Sequence, residues 1–357
     1  MSKQNKNQEL NSEVLNERSS QILSLLITDY IATADAVGSR QLSKRIEQCL
    51  SPATIRNIMS DLEEMGYLTQ PHTSAGRVPT TKGLRYYVDS LVETRSLSDQ
   101  EKTEIESHYP VLGQDIPSLM RHTGKVLAQI SKYAGVVLTP CWGKTIFKHI
   151  EFLPLSRGRL LGIFVSQTGM VENRILEVTE DFNYRELEKI NNYCNARFVG
   201  LTLEDAREKA AQELSRAHKE YDKLLLQSLL LSQELLGGIQ PPDLVVEGEA
   251  HLVGVPHFAT LDRVKELMVS LDEKRQILKV LDSCLESSGI RIFIGSESHC
   301  EPVKNLSLIT ATYGQGKDIL GTLGVIGPTS MDYSRLIPMI DFTAKLVTNF
   351  LQNNEAE

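Results

Sequence analysis

Hydrophobic residues recur along this chain at two periods, and the change of period divides it. From Asn16 onward, Ile22, Leu23, Leu25, Leu26, Ile27 and Tyr30 fall at helical spacing, with Asn16 placed to cap the helix they predict. Ala36 to Gly38 read as a turn, after which Ser39 can cap a short second helix. Its residues Leu42 and Ile46 face inward, and Arg40, Lys44 and Arg45 face out. A third helix has the sharpest start signal, because Ser51 stands at the cap and Pro52 at the first helical position, where a missing N–H costs nothing. Ile55, Ile58, Met59, Leu62 and Met65 share one face of it, and Gly66 ends it. Tyr67–Thr69 then read as a short strand, Pro71–Gly76 as a polar turn, and Arg77–Thr80 as a returning strand kept short by Pro79. Three helices and a small hairpin make the element order of a winged helix-turn-helix. The first twelve residues, polar with no apolar face, predict disorder.

Residues 100–134 keep the helical period, with Leu119, Val126, Leu127 and Ile130 on one side. From Gly135 the pattern becomes short β-rich runs ("GVVLTP", "FKHIEFLPL", "RLLGIFVSQTG", "VENRILEV") divided by Pro or Gly, and the same character returns in "IRIFIG", "LSLITATY" and "LGTLGVIGP". Strands early and late with helices between predict an α+β chain whose sheet domain is interrupted by an insertion. The expected division is 1–12 disordered, 13–95 winged helix, 96–181 and 286–357 the two parts of the sheet domain, and 182–285 the mainly helical insertion. Within the insertion, eight of the thirteen residues from Leu224 to Leu236 are Leu, more apolar surface than one side of a surface helix needs. Two readings stay open for Leu225, Leu229, Leu230 and Leu236: a helix buried in its own domain, or one partly buried between two copies of the chain. The amphipathic stretch Arg263–Leu285 faces the same alternatives.

Composition narrows the classes. At 357 residues, 41% hydrophobic and 24% charged, the chain suits two or three globular domains. It lacks both a membrane-length apolar run and the apolar core of a secretory leader, so a cytoplasmic protein is expected. Five scattered cysteines, none spaced as CxxC, suggest neither a disulfide framework nor a zinc site. The net charge of −8 lies wholly beyond residue 90, whereas residues 37–87 hold seven basic and four acidic side chains. A small basic module on an acidic body fits a nucleic-acid-binding head.

On the outward face of the third helix stand Ala53, Thr54, Arg56, Asn57 and Ser60. Arg pairs with guanine edges, Asn with adenine, and Ala and Thr methyls touch thymine, so these residue types suit a helix in the major groove of DNA. Ser39 and Ser51, with the N–H groups of their helix starts, are candidates for holding phosphate, beside Arg40. In the hairpin turn, His72, Ser74 and Arg77 can reach the flanking backbone. Taken alone, the same helix face reads equally as the solvated side of an amphipathic helix; the hairpin and the local basicity favour DNA.

Other classes fit less well. The chain has no G-x-x-x-x-G-K-[ST], H-E-x-x-H or G-x-S-x-G, and Cys141, His149 and Glu151 are neighbours only in sequence, so no enzyme and no cofactor is expected. No aromatic-and-basic platform for single-stranded RNA is present. A ligand-sensing regulator remains the alternative, with Trp142, Phe164, Phe293 and Tyr313 as its possible pocket lining.

Two segments carry a family likeness. "DYIATADAVGSRQLS" with "SPATIRNIMSDLEEMGYLTQPHTSAGRVPTTKGLRYYVD", and later "IGSESHCEPVKNLSLITATYGQGKDILGTLGVIGPTSMDYSRLIPMID", resemble the heat-inducible transcription repressor HrcA family. That resemblance implies a GAF-like domain carrying an inserted dimerisation domain. It further implies a homodimer bound to an inverted-repeat operator on double-stranded DNA of chaperone operons, with activity sustained by the GroEL chaperonin until unfolded protein titrates it away.

Overall fold

The computed structural model describes residues 15–46, 50–72, 76–92, 95–109, 116–140, 146–167, 171–220, 223–237, 243–253, 255, 265, 274–285, 287–298, 306–315 and 318–353.

The chain opens with α1 (Glu17–Thr33), α2 (Ser39–Leu42) and α3 (Pro52–Glu64), followed by an antiparallel hairpin of β1 (Leu68–Thr69) and β2 (Val78–Pro79). Asn16 caps α1 by accepting from Ser19 N–H at 2.8 Å. Ile22, Leu23, Leu26 and Ile27 of α1 bury against Leu42, Ile55, Met59, Leu62 and Tyr67. Each such side chain contributes about 1.5–3 kcal/mol on leaving water. Asp29 is buried as well, and its carboxylate accepts from Gln41 at 3.0 Å and pairs with Arg45, which ties α1 to the α2 region. Gly66 adopts φ +79°, the left-handed conformation that ends α3 and starts the hairpin. Two details differ from the sequence expectation. The cap of α2 is Gly38, with Ser39 buried as the first helical residue, and Met65 is 42% exposed because it lies past the last turn that faces the core.

From the hairpin the chain enters α4 (Thr81–Tyr86), capped by Thr80 and prolonged by a π-helical turn at Tyr87–Leu91. The helical region expected at 100–134 is two helices, α5 (Asp99–Ser107) with a full capping box on Ser98, and α6 (Ile116–Ser131). Beyond lie β3 (Ala134–Leu138), a meander of β4 (Phe147–Ser156), β5 (Arg159–Ser166) and β6 (Val171–Glu177), then α7 (Tyr184–Phe198), α8 (Leu203–Glu220) and α9 (Lys223–Gly237). The chain closes with β7 (Leu244–Glu247), α10 (Ala250–Val253), α11 (Lys274–Cys284), β8 (Ile290–Ile294), β9 (Leu306–Gln315), β10 (Asp318–Pro328) and α12 (Tyr333–Asn353).

Five strands form one antiparallel sheet in the order β7-β3-β10-β9-β8. Alternation along each strand sends side chains to opposite faces. Val137, Ile309, Tyr313, Leu323 and Val325 meet α6 and α12, whereas Ala134, Val136, Leu138, Leu308 and Ile326 share a core with Leu252 of α10 and Ile277, Val280 and Leu281 of α11. The amphipathic stretch expected at 263–285 is therefore, in its described part, a helix covering this sheet.

The strands β4, β5 and β6, expected in the first part of the main sheet, instead make their own three-stranded sheet. On it lies α7, whose Asn191 and Asn195 side chains hydrogen-bond the edge-strand backbone at Phe152 and Ile150. Strand β7, expected within the insertion, returns to the main sheet beside β3. The chain leaves and re-enters that sheet at one point: Thr139 N–H donates to Asp243 C=O at 2.9 Å, and Asp243 N–H donates to the Thr139 hydroxyl at 2.7 Å.

Candidate nucleic-acid interface

The outward face of α3 is built by its start. Ser51 Oγ accepts from Thr54 N–H at 3.1 Å and lies 2.9 Å from the Thr54 hydroxyl, so the first turn is fixed with its remaining N–H groups pointing outward. Ile55, Met59 and Leu62 are buried on one side, which leaves Ser51, Ala53, Thr54, Arg56 and Asn57 exposed on the other and Ser60 half-buried. The acidic residues Asp61, Glu63 and Glu64 all lie in the C-terminal half. Polyanion is thus favoured only at the N-terminal half, where the helix dipole is also positive.

Arg40 in α2 and Lys44 just after it are exposed and have no ion pair among the described residues; the same holds for Arg56. Lys44, expected to face outward with Arg40, is exposed as that reading has it. Ser39 is withdrawn from the surface by its burial at the start of α2.

The other basic residues of 37–87 are engaged elsewhere. Arg77, expected as a free cation at the hairpin, donates from Nε to Glu63 Oε2 at 2.7 Å with its side chain only 18% exposed. Its backbone pairs in both directions with Val37, at 2.9 Å each way, and Gly76 beside it has no room for a side chain, since a Cβ there would sit 2.3 Å from Val37 O. Arg77 therefore fixes the hairpin against α3 and the α1–α2 turn. Lys82 donates to Met65 C=O at 2.9 Å and sits 4.4 Å from the Tyr67 ring centroid. Arg85 turns to the body of the molecule. Of the seven basic side chains at 37–87, those left exposed with neither an ion pair nor a carbonyl partner among the described residues are Arg40, Lys44 and Arg56, and Arg18 is exposed on α1 as well. His72 is exposed beyond β1, and Ser74 lies outside the described residues.

Of the four leucines expected at a dimer contact, Leu229 and Leu236 are fully buried in their own domain and Leu230 is 46% exposed. Leu225 lies on α9, with its side chain outside the described set. Near Leu230, a cavity of about 530 Å³ runs between the end of β6 and α9, floored by Leu226 and Leu231. Val171 and Ile175, on one face of β6, are 55% and 56% exposed.

The residues offered for a ligand pocket do not converge. Phe164 packs edge-on against Phe147 at 4.5 Å in the three-stranded sheet. Tyr313 is buried on the α6 and α12 side of the main sheet, donating to Leu138 C=O at 2.6 Å, while Phe293 packs on the opposite side. Trp142 lies outside the described residues, as does Cys141. His149, exposed, and Glu151, half-buried, are neighbours on β4, 3.7 Å apart. The Cys194 thiol, buried and 3.1 Å from the Ser232 hydroxyl, is pushed up to about 11 by desolvation.

The chain has relatives among known proteins. Residues 117–337 match the family model described as the HrcA protein C terminal domain. A protein of Geobacter sulfurreducens named heat-inducible transcription repressor HrcA is 44% identical over 338 residues, covering 95% of this chain and 98% of its own length. A protein of Syntrophobacter fumaroxidans with the same name is 37% identical over 340 residues, at 95% and 98% coverage. A solved structure, described as a hypothetical protein at 2.2 Å resolution, superposes with a TM-score of 0.62 over 95% of this chain and 99% of its own; at 21% identity it speaks for the fold alone. With matches of this length and identity, the chain belongs to the HrcA family of heat-inducible transcription repressors.

Proposed function

We propose that the chain is a cytoplasmic, sequence-specific repressor of chaperone operons of the groEL/groES and dnaK/grpE type, acting as a homodimer on an inverted-repeat operator. The observation that carries this reading is the exposed N-terminal half of α3, with Ala53, Thr54, Arg56 and Asn57, together with the exposed Arg40 and Lys44 of the preceding helical segment. In this reading α1 to β2 are a winged helix-turn-helix. A helix about 10–12 Å across enters a major groove about 12 Å wide. Arg56 and Asn57 read base edges there. Arg40, Lys44 and the α3 start hold phosphates, and His72 and Ser74 lie along the flanking backbone. Arg77 acts indirectly, by holding the hairpin in place.

The five-stranded sheet with its helices is the GAF-like domain, and the insertion runs from about residue 140 to 242, closed by the Thr139–Asp243 pair. Dimerisation uses apolar side chains that the insertion leaves exposed, Leu230 of α9 and Val171 and Ile175 of β6, with Leu225 expected to join them. Leu229 and Leu236 hold α9 on its own sheet. Two heads joined this way meet two half-sites, and the dimer represses by occupying DNA that abuts a promoter. The GroEL chaperonin keeps the repressor competent to bind.

A salt-titrated binding assay of the full chain on an inverted-repeat duplex and a scrambled duplex, with and without chaperonin, tests this. The expected result is tight binding to the repeat alone, with log affinity falling by about 0.9 per phosphate contacted for each tenfold rise in salt. Chaperonin should raise the active fraction. Equal affinity for both duplexes under all conditions would remove the operator reading.

A further inference from the structure

One charged cluster, where the head meets the five-stranded sheet, takes no part in the interface above. Arg85 in α4 reaches across to β8, the outer strand of the five-stranded sheet, and to Glu297 in the turn just beyond it, 212 positions away in sequence. Its Nε donates to Glu297 Oε1 at 3.0 Å, while Nη2 pairs with Glu297 Oε2 and donates to Ile292 C=O at 2.5 Å. Nη1 meets Asp89 one turn along, at 3.2 Å. Glu297 is itself fixed by accepting from Ile294 N–H at 3.0 Å. Both side chains are about 30% exposed, and Leu84 beside Arg85 is buried.

An apolar contact tolerates sliding, whereas a guanidinium fork on a carboxylate fixes direction as well as distance. Strand β8 is the rigid edge of a sheet, so the head is pinned in angle as well as tethered. We propose that the Arg85–Glu297 clamp is a positioning device that sets the angle of the reading head on the body, and so the half-site spacing a dimer accepts; this rests on the DNA-binding reading above. The lever is steep. A swing of about 10° over an arm of about 20 Å, the length of a helix such as α3, moves the tip by about 3.5 Å, roughly the rise of one base pair.

The test uses the full chain and its variants Glu297→Gln and Arg85→Lys, with Asp89→Asn as control. Affinity is measured for a single half-site and for inverted repeats lengthened in single-base-pair steps. Wild-type protein should show a sharp spacing optimum. Glu297→Gln should flatten it, losing about tenfold at the optimum through a lower effective concentration of the second head, with single-half-site affinity unchanged. Arg85→Lys, which keeps the charge and loses the fork, should fall between, and Asp89→Asn should match wild type. Without DNA, the distance between probes at the exposed positions Glu64 and Asp282 should broaden in Glu297→Gln. A folded Glu297→Gln protein that keeps both the optimum and the narrow distance overturns the clamp. A wild-type protein with no preference for the repeat overturns the DNA reading instead, while the probe distances still judge the clamp.

Discussion

The N-terminal head and the insertion are built alike and finished differently. Each packs helices around a short antiparallel sheet, each buries its best apolar residues completely, and each is attached to the same five-stranded sheet. The difference lies in what remains outside. On the head the one large apolar side chain exposed among the described residues is Met65, and its outer face carries Arg40, Lys44, Arg56 and Asn57. The insertion leaves Leu155, Val171, Ile175, Tyr184, Val199 and Leu230 exposed. A surface rich in donors and cations suits a polyanion, and exposed apolar side chains suit another protein surface. The dimer proposed above, set on two half-sites, would need one of each.

Neighbouring leucines on α9 give the sharpest test of that contrast. Leu229 is fully buried and Leu230 half-exposed, so the two should fail in different ways. Leu229→Ala leaves a cavity and should cost about 3 kcal/mol in urea unfolding. Leu230→Ala should leave monomer stability within about 0.5 kcal/mol and shift the monomer–dimer equilibrium toward monomer in sedimentation. Equal destabilisation by both would mean that Leu230 belongs to the core after all, and an unchanged equilibrium would place the dimer contact elsewhere.

On the head, Arg56→Ala or Asn57→Ala should each cost about 1–3 kcal/mol of operator binding while leaving scrambled DNA almost unaffected. Retained preference for the repeat would take these two residues out of base readout. Arg77 separates contact from support. Its pairing with Glu63 makes Arg77→Ala a loss of about 1 kcal/mol in stability, partly screened by solvent, with the salt dependence of binding preserved. Arg40→Ala, by contrast, should lower the salt slope by about one per head. A lowered slope in Arg77→Ala would show that the arginine leaves Glu63 for phosphate when DNA binds.

Local punctuation was legible in the sequence and long-range pairing was not. Ser51, Pro52 and Gly66 mark α3 because caps and left-handed stops depend on neighbouring atoms only. The runs that became β3 to β6 were readable as strands, since alternation is local. Their division between two sheets depends on hydrogen bonds such as those pairing Val136 with Gly324, which no local pattern records. The stretch from Thr202 to Leu236 has no Gly or Pro, yet it forms two antiparallel helices, with Arg207 near the start of α8 donating to Leu236 C=O at the end of α9. Charge behaved the same way. Arg45, Arg77 and Arg85 counted as free positive charge in the sequence, and each proved committed to a carboxylate brought near by folding: Asp29, Glu63 and Glu297.

The smallest expected effect concerns the interior of the insertion. Desolvation holds the Cys194 thiol at about 11, above its ordinary 9.0, because burial disfavours the thiolate. Below pH 9 both folded and unfolded chains keep the proton, so the residue adds no pH dependence there. Above it the unfolded chain releases the proton first, and stability is lost as pH rises toward the folded value. Chemical unfolding followed from pH 7 to 11 should therefore show a steeper alkaline decline in wild type than in Cys194→Ala, with parallel curves near neutrality. Alkylation of Cys194 in the folded protein at pH 8 should be slow, since both burial and protonation oppose it. Rapid labelling at that pH would mean that α9 lifts readily from α7, and the division between a closed core and an open outer face in this domain would have to be redrawn.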